Sequence, residues 1–318
     1  MAKQRSAPGS TNSPAILFGA ELRHAREAMS YSQGDLANLL HVDRSLVCRI
    51  EAGERVPQRH FVEGCDRALN TSGRIKRIWS QVDWYAEIEH PDWFQRYADM
   101  EAQAVAVRQF QLARISGLLQ TEDYARAMFC GGLSEWDEAR IDELVAARMS
   151  RQRRFLTGGA PLLIVVLDES AIRCHVGNPE VMRGQLDHLL TLAQRPNVVL
   201  QVAPFDRYDL RRPDASMTLL TLPDGHDWVY SESLDRGHFV DNPEVIADYA
   251  RTYDLLRAGA LSPRETVAFI TSAREGYDHD AAGAPSGSVA QEQPQRDQRR
   301  RVHRGGPRIH RRRPRPGQ

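Results

Sequence analysis

The segment Tyr31–Gly53 constrains the fold more than any other part of the chain, because two short helical patterns lie on either side of a break. Ser32 is typical of a helix N-cap, and Asp35, three residues later, is a carboxylate variant of the capping box. The apolar positions that follow form one face of a first helix. They are Leu36, Ala37 and Leu40.

A second helix follows a predicted turn at residues 41–42. Asp43 is typical of its N-cap, Val47 and Ile50 face inward at a spacing of three residues, and Gly53 is expected to end it. Two short helices joined by a tight turn, the second exposing polar groups from its first turns, have the geometry that enters the major groove of DNA. The segment therefore predicts a helix-turn-helix.

The motifs S-Q-x-D-L-A-x-x-L, V-D-R-S-x-V-x-R-I-E-x-G and R-V-P in residues 16–70 resemble the helix-turn-helix family of phage repressors and xenobiotic-response-element regulators. The resemblance implies that Gln33 contacts the DNA backbone or a base. It also implies that the second helix reads base edges, where an arginine binds O6 and N7 of guanine together. The expected DNA-contacting residues of that helix are Arg44, Ser45, Leu46 and Arg49.

The same resemblance implies an ion pair between Arg26 and Glu51, which would fix the orientation of the second helix. His41 departs from the family pattern, since glycine is usual in the turn and histidine adopts a left-handed backbone at some strain. The alternative is an ordinary helical hairpin that packs against a partner. Two arginines on the exposed face, Arg44 and Arg49, favour DNA.

The chain has no formal net charge, since 42 Lys and Arg balance 42 Asp and Glu, but the charges are segregated. Residues 1–80 hold 12 Lys and Arg against 8 Asp and Glu, and residues 291–318 hold 10 against 2. Residues 81–290 therefore carry an acidic excess of 12. A basic region ahead of an acidic body predicts that the first region binds a polyanion and that the body does not.

The sequence contains no run of roughly 18 to 20 apolar residues and no apolar signal core in residues 1–14. We therefore expect a cytoplasmic protein without a membrane segment. Its 4 cysteines have no CxxC pair and no close spacing to histidine, so we expect reduced thiols, no metal site and no cofactor.

Two folded domains are predicted: an all-α helix-turn-helix domain at 15–80 and a larger α+β or α/β domain at 93–275, with a connector at 81–92. Residues 1–14 and 276–318 lack periodic apolar residues, so we expect a disordered arm and a disordered, arginine-rich tail. The tail either strengthens DNA binding by counterion release, or is dispensable, or is an out-of-frame extension.

The second domain begins with helical apolar spacing at residues 93–112 and again at 135–155. Its strands are predicted to lie after residue 160, and Pro223-Asp224-Gly225 predicts a hairpin turn between the last two. The predicted strands are residues 161–167, 197–202, 216–222 and 228–232. The other predicted helices are residues 179–194, 242–257 and 262–274.

Motifs between residues 93 and 274 resemble DUF5753, the C-terminal domain of a large actinobacterial regulator family. The resemblance implies antitoxin-like regulation by a small DUF397-type protein partner. Its motifs are W-F at 93–94, I-S-G-L-L-Q-T-E-D-Y-A-R-A at 115–127, R-x-x-R-Q at 148–152, L-D-E-S-A-I-R at 167–173 and V-G-N-P-E-V-M-R-G-Q-L-D-H-L-L at 176–190.

Several polar and aromatic residues of this domain are candidates for a functional site. Asp168 and Glu169, which follow a predicted strand, are interpreted as capping a helix rather than as catalytic carboxylates. No GxSxG elbow and no zinc-ligand spacing accompanies Ser170, Cys174 and His175, so we expect no enzyme. The other candidates are interpreted as core or satisfied polar residues: His188, Trp136, Trp228 and Tyr230.

The leading hypothesis is a sequence-specific, homodimeric transcriptional regulator that binds double-stranded DNA through residues 43–52 and senses a protein or small molecule through its second domain. Dimerisation is expected because one short helix reads too few bases. Two alternatives remain open: an antitoxin-like partner of a small protein, and an enzyme that regulates its own synthesis.

Overall fold

A computed structural model describes most of the chain. The described residues are 14–84, 92–132, 137–157, 159–233 and 236–283. Three predictions therefore lie wholly or partly outside them: the arm before Pro14, the middle of the connector, and the tail beyond Gly283. Trp136 also lies outside the described residues.

The first described region, residues 14–84, is entirely helical, as the sequence predicts. Its helices pack around a core in which the buried rings of Phe18 and Trp84 meet edge to face, with centroids 5.7 Å apart. Leu22, Leu36 and Ile50 complete the centre of this core. The helices are α1 Pro14–Ala28, α2 Gln33–Leu40, α3 Arg44–Glu51, α4 Arg59–Ala68 and α5 Arg74–Gln81.

Helix α1 packs closely against the end of α3 at Gly19. A Cβ atom built on Gly19 would lie 2.5 Å from the carbonyl oxygen of Glu51 and 2.7 Å from that of Ile50. Both obstacles are backbone atoms, so neither moves without shifting a helix. A glycine is therefore needed for this approach.

The second region combines helices with a sheet, which confirms the predicted α/β class. Its helices are α6 Asp92–Gln103, α7 Glu122–Cys130, α8 Glu138–Leu156, α9 Glu169–Arg173, α10 Pro179–Leu192, α11 Pro243–Gly259 and α12 Pro263–Gly283. Its strands are β1 Ala106–Gln111, β2 Leu162–Asp168, β3 Val198–Ala203, β4 Met217–Thr221, β5 Asp227–Glu232 and β6 Gly237–Val240.

The strands form one mixed sheet with the order β3-β2-β1-β4-β5-β6. β1 pairs in parallel with β2 and antiparallel with β4, so that Arg108 lies opposite Ile164 on one side and Leu219 on the other. β2 and β3 are parallel, whereas β4, β5 and β6 form an antiparallel meander. The predicted β4–β5 hairpin is confirmed.

The sheet has a hydrophobic core on each face. Val107 and Val165 lie in the larger core, with residues of α9, α10 and α12. Phe110 and Val166 lie in the smaller one, where Tyr253 of α11 covers them. Successive side chains of a strand point to opposite faces, so both faces of the central strands are buried.

The helical interpretation of residues 93–112 is wrong after Gln103, because residues 106–111 form the central strand β1. The expectation that every strand lies after residue 160 is wrong for the same reason. Buried Gln109 disguises the strand, since a polar residue interrupts its apolar pattern. Its amide is satisfied locally, as its Oε1 accepts a hydrogen bond of 2.6 Å from Ser116.

The last helix is longer than predicted, since α12 continues to Gly283, past the expected end at residue 274. Strand β6 was not predicted, whereas α9 is the helix that Asp168 and Glu169 were expected to cap. The helix predicted at 135–155 and the one at 179–194 correspond to α8 and α10, with ends that differ by at most three residues.

Helix α8 belongs to both regions. Ala146 lies in the core of the helical region, whereas Phe155 lies in the larger core of the α/β region. Ser150 donates a hydrogen bond of 2.7 Å to Asp83, and Arg153 donates to the carbonyl oxygens of Ser80 and Val82. This helix therefore connects the two regions.

The contact at Gly19 yields a stability prediction. Gly19→Ala should lower the free energy of unfolding by about 1–3 kcal/mol, because the new methyl group meets immovable backbone. Urea denaturation followed by circular dichroism measures this.

The matched control is Gly34→Ala in α2, where the nearest atom to the new Cβ is the Ser32 hydroxyl at 3.6 Å. This variant should keep or raise stability, by up to about 1 kcal/mol, since alanine favours helix. Equal stability of the two variants would contradict the close packing of α1 on α3.

Candidate nucleic-acid interface

The start of α2 is fixed by the predicted capping box. The Ser32 hydroxyl accepts a hydrogen bond of 3.1 Å from the backbone N–H of Asp35, and the Asp35 carboxylate accepts one of 2.8 Å from the backbone N–H of Ser32. These bonds lower the pKa of Asp35. The helix therefore begins at Gln33, whose side chain is half-buried.

The turn between α2 and α3 is left-handed at His41, with φ 55° and ψ 44°. A residue with a Cβ adopts this conformation at a cost that glycine avoids. The backbone N–H groups of His41 and Val42 donate to the carbonyl oxygens of Asn38 and Ala37 at 3.2 and 3.0 Å. The turn thus keeps the usual closing hydrogen bonds despite the histidine.

Asp43 occupies the N-cap position of α3, but its side chain makes no capping hydrogen bond. The predicted position of the N-cap is therefore confirmed, but the capping hydrogen bond expected from the Asp43 side chain is absent. The helix ends at Glu51, and Gly53 follows with φ 73°. A Cβ on Gly53 would lie 2.9 Å from the Cα of Ile16, so this glycine also allows α1 to approach.

Helix α3 presents an exposed polar face. Arg44, Ser45 and Arg49 are exposed on it. The Nε of Arg49 donates a hydrogen bond of 3.4 Å to the carbonyl oxygen of Ser45. Cys48 is exposed on the same face, one turn after Arg44. Sequence reasoning missed Cys48, although helical spacing places it there.

Leu46 lies at the edge of this face rather than on it. It is half-buried, packs against the helical core and lines a cavity of about 170 Å³ beside Ile50 and Phe61. Three of the four residues predicted to contact bases, Arg44, Ser45 and Arg49, are therefore exposed together, whereas Leu46 faces mainly inward.

Behind the exposed face, buried Glu51 contacts two other helices. Its Oε1 accepts a bond of 2.6 Å from Arg26 of α1, and its Oε2 accepts bonds of 3.0 Å from Arg26 and 2.9 Å from Gln33 of α2. Arg23 lies 3.6 Å away and adds positive charge. The implied pairing of Arg26 with Glu51 is thus present in the structure.

The charges of this cluster stabilise each other. Burial acts to raise the pKa of Glu51, but the bonds from Arg26 and Gln33 outweigh it, so the pKa is lowered from its ordinary value of 4.5. The bond to Glu51 raises the pKa of Arg26. Arg26 also donates to the Tyr31 carbonyl oxygen at 2.6 Å, which ties α1 to the residues just before α2.

The loop after α3 is held by the α/β region, a contact that sequence reasoning missed. Asp142 of α8 is 3% exposed and accepts a bond of 2.9 Å from Arg55 and another from Gln58. Arg126 of α7 approaches the same carboxylate at 2.8 Å. One buried acid therefore positions the segment that follows the exposed helix.

Asp168 and Glu169, the two carboxylates considered as catalytic candidates, both make structural contacts. Asp168 caps α9 by accepting from the Ser170 backbone N–H at 2.9 Å, and Arg212 lies 3.1 Å from it. Glu169 accepts a bond of 2.6 Å from the Phe205 backbone N–H and pairs with Arg173.

The aromatic and histidine candidates are not brought together. His175 is exposed beside the ring of Tyr277, whereas His188 is half-buried and burial lowers its pKa. Trp228 lies under the guanidinium of Arg96, while Tyr230 lines a cavity in the α/β region. Across the described ranges, no group of three or more His, Cys, Asp or Glu is arranged to hold a metal ion. The same ranges contain no helix long and apolar enough to cross a membrane.

The Glu51 cluster yields a prediction that depends on pH. Glu51→Ala leaves the Arg26 guanidinium buried without its carboxylate, so at pH 7 it should cost about 3–5 kcal/mol of unfolding free energy. Because the folded-state pKa of Glu51 is lowered, its contribution is complete above about pH 4.5 and is lost as the pH falls through the folded-state pKa. The gap between wild type and variant should therefore shrink on acidification.

Urea denaturation between pH 7 and pH 3 measures this gap, with Glu54→Ala as the control. Glu54 is exposed three residues away, and its loss should change stability by no more than about 0.5 kcal/mol. A gap that stays constant down to pH 3 would refute the role assigned to the ionised Glu51.

Comparison with known families agrees with this geometry. Residues 17–75 match the model of a helix-turn-helix domain, which contains α2, α3 and the exposed face. Residues 94–272 match the model of a domain of unknown function, DUF5753. No curated protein and no solved structure gives a significant match. Because the second model covers more than half of the chain, the protein belongs to the DUF5753 family and carries a helix-turn-helix domain ahead of the DUF5753 domain.

Proposed function

We propose that this DNA-binding helix-turn-helix protein is a sequence-specific transcriptional regulator, with α3 in the major groove. The observation that supports it is the exposed face of Arg44, Ser45 and Arg49, on a helix anchored from behind by buried Glu51. Both arginines are free of carboxylate partners among the described residues. Their guanidinium groups are therefore available for guanine O6 and N7 or for phosphate.

Gln33 is proposed to act at the DNA backbone. It is the first residue of α2, where backbone N–H groups and the helix dipole favour a phosphate. Its amide already donates to Glu51 at 2.9 Å, which holds the side chain beside α3. The same residue thus links the expected phosphate contact to the orientation of the reading helix.

The regulator is proposed to act as a homodimer. α3 has 8 residues, which corresponds to a length of about 12 Å and to contact with only a few base pairs. Helix-turn-helix dimers gain specificity from two half-sites about 34–36 Å apart. We place the dimer contacts in the α/β region.

The α/β region is proposed to control the orientation of the helix-turn-helix. α8 holds Arg55 and Gln58 through Asp142, and it holds the end of α5 through Arg153. A signal bound to the α/β region would reach the DNA-binding helices through these contacts. We propose no enzymatic role, since Asp168 and Glu169 serve structural contacts.

Regulation through a small DUF397-type protein stays a prediction from family resemblance. Co-purification of a small protein with the full chain would support it. A stable complex that binds DNA more weakly than the chain alone would make the partner an inhibitor.

Arg44→Ala and Arg49→Ala test the reading face. Each should weaken binding to the specific site by about 1–3 kcal/mol and relax specificity at one or two positions, because a guanine contact is lost. Fluorescence anisotropy on the gene's own upstream DNA and on scrambled DNA, at two salt concentrations, measures both effects.

Arg251→Ala is the matched control, since Arg251 is an exposed arginine on α11, away from α3. It should bind like wild type. Wild-type binding that is equally weak on both DNAs would contradict sequence-specific regulation at that site. An equal loss on both DNAs for Arg44→Ala would make Arg44 a phosphate contact.

Asp142→Ala tests the connection between the two regions. It leaves Arg55 and Arg126 without their shared carboxylate, so the helical region should unfold separately and at lower temperature than the α/β region. Differential scanning calorimetry should show the single wild-type transition split in two.

The control for this variant is Glu138→Ala, one turn earlier on α8, at an exposed position. It should keep the wild-type transition. A single unshifted transition for Asp142→Ala would show that the connection depends on other contacts.

A further inference from the structure

A cavity of about 220 Å³ lies in the α/β region, beyond the carboxyl end of β1. Its wall is formed by the residues that follow β1, by the start of β4, by the end of β5, and by Arg148 and Arg151 of α8. None of these residues belongs to the proposed DNA interface.

The sheet topology favours a ligand at this position. From β1 the chain goes to β2 and β3 on one side of the sheet, and then returns to β4 on the other side of β1. The direction of strand addition therefore reverses at β1. In open α/β sheets, ligands bind outside the carboxyl ends of strands at such a reversal.

Arg148 lines this cavity and, like exposed Arg114, makes no salt bridge with the described residues. Its guanidinium donates a bond of 2.7 Å to the neutral Gln120 side chain and lies over the ring of Phe129. No carboxylate of the described residues is within salt-bridge distance of it. Burial and the neighbouring Arg151 guanidinium lower the pKa of Arg148 to about 10, so the charged form remains dominant at neutral pH.

The charges around Arg148 leave a positive excess. Arg151 is neutralised by Glu101, which it contacts through two nitrogens at 2.8 to 3.0 Å. The carboxylate of Glu232, at the cavity edge, interacts with the guanidinium groups of Arg148 and Arg151, and exposed Arg114 adds a further positive charge. Three arginines thus accompany two carboxylates, Glu101 and Glu232, which leaves one positive charge in excess at the cavity.

Tyr230 supplies a second, independent indication of a ligand. The residue is only 4% exposed and lines the cavity, yet its buried hydroxyl oxygen makes no hydrogen bond of normal geometry within the described part of the chain, although the Glu232 carboxylate lies near it. Burial and the neighbouring Glu232 carboxylate raise the pKa of Tyr230, so the hydroxyl keeps its proton. An unpaired buried hydroxyl is costly, which favours a ligand that accepts this bond.

The remaining wall is aromatic and apolar. The rings of Tyr97 and Tyr230 stack with centroids 4.1 Å apart, and Phe94 and Met128 lie beside them. A cavity of about 150 Å³ accommodates benzene, so one of 220 Å³ suits a single ring with one acidic group.

We propose that this cavity binds a small aromatic acid, with a carboxylate or phosphate on Arg148, the Tyr230 hydroxyl donating to the same ligand, and its ring against Tyr97 and Tyr230. The shared chemistry is an anionic oxygen group on a flat ring. The ligand binds whether or not the protein regulates transcription, whereas its role as a signal rests on the proposed function.

The cavity and the DNA-binding helices share α8. Arg148 and Arg151 line the cavity, while Asp142, Ala146 and Arg153 contact the helical region from the opposite side of the helix. A ligand that shifts α8 would therefore change the position of the helix-turn-helix.

Isothermal titration calorimetry of the full chain with benzoate and with phenyl phosphate tests the site. Saturable binding of either anion, with no binding of benzylamine or benzyl alcohol, is expected. Binding of benzoate alone identifies a carboxylate ligand, and binding of phenyl phosphate alone identifies a phosphate ligand. No saturable heat with either anion up to about 10 mM, or equal binding of benzyl alcohol, would overturn the proposal.

Two variants assign the binding to this cavity. Arg148→Met should lower the affinity at least about tenfold, because a charge-assisted bond is lost. Tyr230→Phe should lower it about three- to tenfold while raising the melting temperature of the free protein, since an unpaired hydroxyl is removed. If Tyr230 had only a structural role, its substitution would not lower the ligand affinity while raising the melting temperature.

Arg251→Met on the surface of α11 is the control and should bind like wild type. Wild-type affinity in both cavity variants would overturn the assignment. DNA binding of the ligand-free chain is measured separately by anisotropy, so a failed ligand site and a failed regulator are distinguishable.

Discussion

The helix-turn-helix depends on one buried carboxylate at the end of its second helix, α3. Glu51 joins α1 through Arg26, α2 through Gln33, and α3 through its own backbone. Removing charged groups from water costs free energy. The attraction within such a cluster offsets this cost only where the geometry is good and further hydrogen bonds are made. Its main effect is orientation: three helices can satisfy this carboxylate in only one arrangement. The exposed arginines of α3 are thereby aimed in a fixed direction.

The local features of this region were predictable because they depend on residues close in sequence. The capping box at Ser32 and Asp35 and the stop at Gly53 follow from backbone chemistry within a few residues, whereas the left-handed turn at His41 was implied by the family resemblance. The side-chain bond expected of Asp43 is absent, since an N-cap position does not dictate the rotamer. Partial burial of Leu46 depends on tertiary packing, which helical spacing alone does not show.

The features that sequence reasoning missed depend on distant partners. Gln109 gives β1 a polar centre, and only the fold shows that Ser116 satisfies it. Asp142 and Arg55 are 87 residues apart, and no local pattern pairs them. The same holds for the cavity, because its wall combines residues of α6, α7 and α8 with residues of three separate strands. A polar residue in a strand and a charged residue in a helix both appear as surface positions until their partners are known.

The place of β1 at the centre of the sheet also bears on how the chain folds during synthesis. Phe110 pairs with Val166 on one side and with Met217 on the other, so the second partner is made about 110 residues later than β1. At about 5–20 residues per second, β1 waits roughly 5–20 s with one edge unpaired. An open strand edge is a template for wrong pairing. This edge of β1 therefore stays open to wrong pairing until β4 has been synthesised.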